Sequence, residues 1–461
     1  MSGLRREDTA RDLSREVRRL ALPAILHSCL QTLVFVVDRV MLGRVGQTEL
    51  AAMQVAGTIE WSLVSVLLAF EVGVVARVGF YVGARRLSDA RSAALAGLGL
   101  AVLFGSVIAL ATPAVLGQVA WLAPTASAAT LRSATDYLSV TLPASPIVFM
   151  AATAVAILQA GGDTKRPLYV ALFANVIHLP LNRILILGAF GVPAMGARGC
   201  GISTAVTFAI ELFLLGVVLF SRRGATSLAA TSALERASAR PMVREIMAVS
   251  WPSMIEKVLY HVGFLGFVTM IGRLGDRVMA ANQIMISVEA ICFLSADGFG
   301  IAAAALVAQK LGAGKPEASR MAAVSAARDA ALVLALLGLA VYLLRGHIGQ
   351  VFVQGEDIGE LVGAAAFVLM VAQPFMAVAI VLAQSLRGAG KTREVLFVTA
   401  VSATVIRLAA TYLFAFRLGG GLEGVWWGST TDWALRAVAL VLVFRATFSR
   451  LAAPEGAPAR S

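Results

Sequence analysis

Leu42–Gln54, LGRVGQTELAAMQ, returns 229 residues later at Ile271–Gln283 as IGRLGDRVMAANQ. Gly43-Arg44 matches Gly272-Arg273, Gly46 matches Gly275, and Ala51-Ala52 with Gln54 match Ala280-Ala281 with Gln283. Working outward, the register runs without a gap from Pro23 and Pro252, through Glu60 with Glu289 and Phe70 with Phe299, to Arg91 and Arg320. Farther on, Leu158–Thr164 (LQAGGDT) matches Leu386–Thr392 (LRGAGKT). A repeat of this length makes the chain two copies of one structural unit.

The medium for those units follows from composition. Of 461 residues, 59% are hydrophobic and 14% charged, against about 25% charged in soluble domains. Apolar stretches long enough to cross a hydrocarbon core of about 30 Å are expected at 20–43, 50–74, 92–116, 137–159, 167–189, 199–220, 246–271, 279–308, 325–344, 361–386, 394–416 and 424–446. In lipid each must satisfy its own backbone, so each is expected to be a helix. The expected fold is all-α and integral to the membrane: twelve transmembrane helices in two six-helix bundles. Six is even, so the copies share one orientation and are expected to be related by a pseudo-two-fold axis along the membrane normal. The expected division is a cytoplasmic segment 1–19, an N-lobe 20–220, a basic linker 221–245, a C-lobe 246–448 and a tail 449–461.

The formal net charge of +12 raises the question of a nucleic-acid partner, and its placement answers it. With the N-terminus inside, the termini and inner loops hold 25 Lys and Arg and the outer loops seven. That asymmetry predicts both termini in the cytoplasm and leaves no basic surface in need of nucleic acid. The charged stretch Arg5–Arg19 leads into an overlong apolar segment, which is expected to stay as the first helix rather than be cleaved. Cys29, Cys200 and Cys292 lie within apolar spans without paired spacing, so they read as small core residues. No cofactor or metal cluster is expected. The glycine-rich turns at 161–162 and 388–390 lack phosphate-loop spacing.

Pro252–Lys315 resembles the seventh and eighth helices of the prokaryotic multidrug and toxic compound extrusion (MATE) family. Val37-Asp38 followed by Leu42–Gly46 is similar to the family's first-helix pattern, and the turns at 158–164 and 386–392 resemble its repeated fourth-to-fifth helix motif. The likeness spans about residues 15–450. It implies a secondary antiporter in the bacterial inner membrane, working as a monomer by alternating access and exporting organic cations or amphiphilic drugs in exchange for H⁺ or Na⁺. It also implies hinges at Pro23 and Pro252 and a coupling site at Asp38, Tyr137, His178, Asn182 and Thr204. His178 stands where the family has Asn and Asn182 where it has Asp; a shifted register would put Asn175 in place of His178.

A carboxyl at bilayer depth costs about 3 kcal/mol or more, so it is a functional hypothesis by default. Asp38 is the leading proton carrier, unless it merely pairs with Arg39. Na⁺ at Asp38 stays open, although a hard cation wants oxygen ligands and an imidazole beside a carboxylate favours H⁺. His27, three turns before Asp38, lies on nearly the same helical face. Glu256, Tyr260, Glu289 and Asp297 are candidates for a substrate cleft, Glu256 and Glu289 reading alternatively as partners of Lys257 or Arg328. Met53, Phe70, Met285, Phe293 and Phe299 suit either a plastic pocket or plain packing. The competing transport reading is a lipid-linked precursor or polysaccharide flippase, which would use Arg77, Arg183, Arg407 and Arg436. A channel fits the repeat less well, and no catalytic triad or metal cluster points to an enzyme.

Overall fold

The computed structural model describes residues 10–123, 126–221, 224–229, 231–347 and 356–452. Of the expected terminal segments, 1–9 and 453–461 lie outside the described residues. The helices are α1 (Ala10–Val45), α2 (Gln47–Leu68), α3 (Glu71–Gly83), α4 (Leu87–Leu122), α5 (Ala128–Thr141), α6 (Ser145–Ala160), α7 (Lys165–Leu187), α8 (Gly196–Leu219), α9 (Ala233–Gly272) and α10 (Asp276–Gly312). They continue as α11 (Pro316–Leu343), α12 (Glu356–Gly388), α13 (Thr392–Ala400), α14 (Arg407–Thr411) and α15 (Gly421–Ala452). Two π-helical segments, Val401–Ile406 and Tyr412–Arg417, flank α14. The one β-feature among the described residues is an isolated bridge between Ala189 and Val192.

Ten of these helical stretches are long and apolar enough to cross a membrane, with α2 and α3 forming one crossing and α13 through Arg417 another. The pair α5 and α6, bent by 59°, makes an eleventh. The break falls at Leu142–Ala144, where Pro143 has no N–H to continue the helical ladder. The expected twelfth span is α15, which has 32 residues but carries Asp432 and Arg436 at mid-helix, and these lower its hydropathy. Many large apolar side chains face outward, Leu110 at 82% and Phe397 at 72% exposure among them, as suits helices that meet lipid rather than water.

The chain forms two compact units. The first comprises Leu26–Val82 and Arg86–Ser250. In it α8 packs against α5, α6 and α7, and small residues set the spacing. A Cβ on Gly199 would sit 2.4 Å from the Leu185 carbonyl, and one on Gly201 3.2 Å from that of Tyr137. The Gly-Cys-Gly segment therefore brings α8 close to the backbones of α7 and α5, which lets short polar side chains meet between them. The second unit holds Gly83–Arg85, Trp251 onward and the described residues up to Ile25. Its core runs from Leu13 and Val17 of α1 through Phe299, Met376 and Leu386 to Phe444 and Phe448. Helices α1 and α9 each pass from one unit to the other within two residues of a repeat-matched proline, Pro23 or Pro252.

Candidate functional site

In the first unit Asp38 is buried on α1, at 3% exposure. His178 and Asn182, one turn apart on α7, both reach it. His178 Nε2 lies 2.9 Å from Asp38 Oδ1, and Asn182 Nδ2 donates to the same oxygen at 2.5 Å. Asn175 donates instead to the Ala171 carbonyl of its own helix, so the register that brings side chains to Asp38 is that of His178 and Asn182. Arg39 is exposed and points toward Gly57; the basic partner of Asp38 is His178. The ring nitrogen His27 Nε2 is buried and makes no hydrogen bond among the described residues.

The far side of the imidazole faces α8. Thr207 donates its hydroxyl proton to the Ser203 carbonyl at 2.7 Å, and its oxygen lies 2.8 Å from His178 Nδ1, with the Ser203 hydroxyl 3.2 Å from the same nitrogen. Asn182 Nδ2 also lies 2.9 Å from Nε2, so the amide bridges the carboxylate and the ring. Thr204 does not touch the ring. It interacts with the Cys200 thiol, which in turn meets Asp38. Residues 200, 203, 204 and 207 share one face of α8, and Ser203 and Thr207 sit at the angles that meet α7.

Tyr137 of α5 is near Asp38 but hydrogen-bonds Glu60 of α2, whose carboxylate also faces Thr141. The site therefore contains a second acid that sequence reasoning did not assign to it. The available signal was the match of Glu60 with Glu289, which identified an acid repeated at one position in both halves without saying which side chains it meets.

The cleft candidates all lie in the second unit. Glu256 is buried and accepts from Arg387 Nη2 at 2.6 Å, so its partner is the arginine of the LRGAGKT turn rather than Lys257 or Arg328; Arg328 bonds Asp329. Asp297 accepts from Gln384 at 3.1 Å. Tyr260 and Glu289 line one cavity of about 100 Å³ with Asn282, Arg407, Trp426 and Ser429. Glu289 Oε1 and Asn282 Oδ1 are buried there without a hydrogen-bond partner among the described residues. Arg407 is engaged elsewhere: it and Arg436 both hold the buried Asp432, at 2.7 and 2.6 Å, and Ser402 donates to the same carboxylate. Two of the arginines that a flippase would need are thus tied to one shared carboxylate. Of the other two, Arg77 lies beside Glu245 and Arg183 is exposed.

The MatE family model matches residues 23–184 and again 252–413, once on each copy of the repeat. The chain belongs to the MatE family. Multidrug resistance protein NorM of Burkholderia vietnamiensis is 28% identical over 469 residues, covering 98% of this chain and 99% of its own. The probable multidrug resistance protein NorM of Thermotoga maritima is 26% identical over 442 residues, covering 94% and 92%. Among solved structures, a MATE transporter in the straight conformation aligns with a TM-score of 0.87 at 19% identity, covering 95% of this chain and 97% of that one. A MOP superfamily transporter from Pyrococcus furiosus aligns at 0.85 and 19%, covering 96% and 97%. The MatE fold thus extends over nearly the whole chain, as a multi-pass membrane protein.

Proposed function

We propose that this MatE chain is an H⁺-coupled antiporter of the bacterial cytoplasmic membrane that exports organic cations or amphiphilic drugs, with both termini inside. Full-length likeness to NorM proteins supports the multidrug class. The observation that supports H⁺ as the coupling ion is the direct Asp38–His178 contact at 2.9 Å, which sets side by side two groups that can each hold a proton. A Na⁺ ion wants several oxygens, and here a ring nitrogen occupies the place facing the carboxylate. Glu60, bonded to Tyr137, supplies a second acid on the same network.

For the substrate, the cavity holding Glu289 is walled by Tyr260, Phe264, Phe267 and Trp426, and aromatic faces with an unpartnered carboxylate oxygen favour a cationic group. Alternating access would bend α1 and α9 at Pro23 and Pro252, since a proline inside a helix removes one ladder bond and weakens it locally. The test is purified protein in proteoliposomes preloaded with ethidium, driven separately by a pH gradient and by a Na⁺ gradient. Acceleration by the pH gradient alone is expected; acceleration by Na⁺ alone would overturn the assignment of the ion, and acceleration by neither would overturn antiport.

A further inference from the structure

Helix α8 carries one more acid on the face that holds Thr207. Glu211 is buried, at 6% exposure, within the apolar span. It makes no hydrogen bond or ion pair among the described residues, and burial alone acts on it. The elements packed on α8 offer Glu49 and Glu60 from α2, Arg132, Asp136 and Tyr137 from α5, and Lys165, Arg166, Tyr169, His178 and Arg183 from α7. None of these pairs with it. A carboxyl left so at membrane depth is costly, and packing does not require it, since Gln or Leu would fill the place.

Its position supplies a reason. Asp38 meets His178 Nε2 at 2.9 Å, and His178 Nδ1 meets Thr207 Oγ1 at 2.8 Å. Thr207 and Glu211 are then four residues apart on one helical face, with Cβ atoms about 5–6 Å apart, a gap that a glutamate side chain or one bridging water closes. With both termini inside, α8 descends toward the cytoplasm, so Glu211 lies one turn inward of Thr207.

We propose that Glu211 is the inner relay group of the proton path, receiving from the Asp38–His178 pair through Thr207 the proton that is released to the cytoplasm. This rests on the H⁺-coupled reading above. In the step, the Asp38 proton passes to Nε2 as the Nδ1 proton passes to the Thr207 oxygen. The hydroxyl's own proton turns from the Ser203 carbonyl to the Glu211 carboxylate, so one proton enters the chain and one leaves it. The ring returns to its starting tautomer once Glu211 has discharged inward.

The test compares wild type, Glu211→Gln and Glu211→Asp in proteoliposomes with ethidium, under an imposed pH gradient and in gradient-free exchange at fixed pH. A pH gradient without effect on wild type refutes the H⁺ reading itself. If wild type responds, Glu211→Gln is expected to lose about tenfold or more of the pH-driven rate while keeping gradient-free exchange, with Glu211→Asp recovering part of the loss. Infrared difference spectra taken across a pH step should contain a protonated-carboxyl band that Glu211→Gln removes. Wild-type pH-driven efflux by Glu211→Gln, or an unchanged carboxyl band, would overturn the relay; equal loss of both transport modes would assign Glu211 to packing and overturn it too.

Discussion

At the scale of single residues, the chemistry gathers where side chains from α7 and α8 meet the Asp38 carboxylate of α1. Asp38→Asn removes the carboxylate that faces His178 Nε2 but keeps a neutral amide of nearly equal size, and an amide costs less to bury than an ion. The expected outcome is a folded protein, eluting as wild type in detergent, whose pH-driven ethidium efflux falls by about a hundredfold; a wild-type rate would move coupling to another acid. Asp38 was legible because an ionisable group is conspicuous in an apolar span, and His178 and Asn182 because the family resemblance pointed to their positions. Thr207, Ser203 and Glu60 were not. Which hydroxyl meets the ring depends on the rotation of α8 about its axis, set by the close approach at Gly199 and Gly201, and hydropathy carries no trace of that angle.

At the scale of elements, α8 begins at a crowded point. Gly196 takes a positive φ of 53°, and Glu49 of α2 accepts from the Ala197 amide and from Ser133 of α5, each at 2.8 Å. One carboxylate thus satisfies an otherwise orphaned N–H at the start of α8, where negative charge is favoured, and ties three helices together. Glu49→Ala is expected to lower stability by about 1–2 kcal/mol, read as an earlier thermal transition in detergent, whereas Glu49→Gln should retain part of it. No change in either would mean that the three helix ends are held by other contacts. The repeat-matched turns behave alike: Gly162 and Gly390 both adopt positive φ, 86° and 75°, as a left-handed position that glycine fills without strain requires. These turns were legible as sequence, as were the long spans. The 59° break between α5 and α6 was not, because the run 137–159 stays apolar through Pro143, and the start of the bent pair at Ala128 lies outside that run.

At the scale of the whole molecule, the doubled match to the MatE family and the repeat at offset 229 describe the same duplication. The expected orientation rests on charge: the termini and the loops expected inside carry 25 basic residues and the loops expected outside seven. A cysteine placed between residues 225 and 235, in a background free of Cys29, Cys200 and Cys292, is therefore expected to resist a membrane-impermeant maleimide added to intact cells and to react after permeabilisation. Labelling from outside would invert the topology and, with it, the inward direction assigned to α8.

The shared carboxylate of Asp432 bears on how the protein is made. The span that ends at Arg417 emerges from the ribosome before α15 and presents Arg407 to the insertion machinery before Asp432, its ion-pair partner, has been synthesised. An arginine at a helix centre opposes insertion by roughly 2.5–3.5 kcal/mol, and α15 brings the acid that pairs with Arg407, along with Arg436. The last two crossings should therefore enter the bilayer as a hairpin rather than one after the other. In a cell-free translation system with membranes, a chain stopped near residue 420 is expected to leave its final span accessible to protease, and either Arg407→Leu or extension through α15 should protect it. Full protection of the truncated wild-type chain would mean that the eleventh crossing inserts alone.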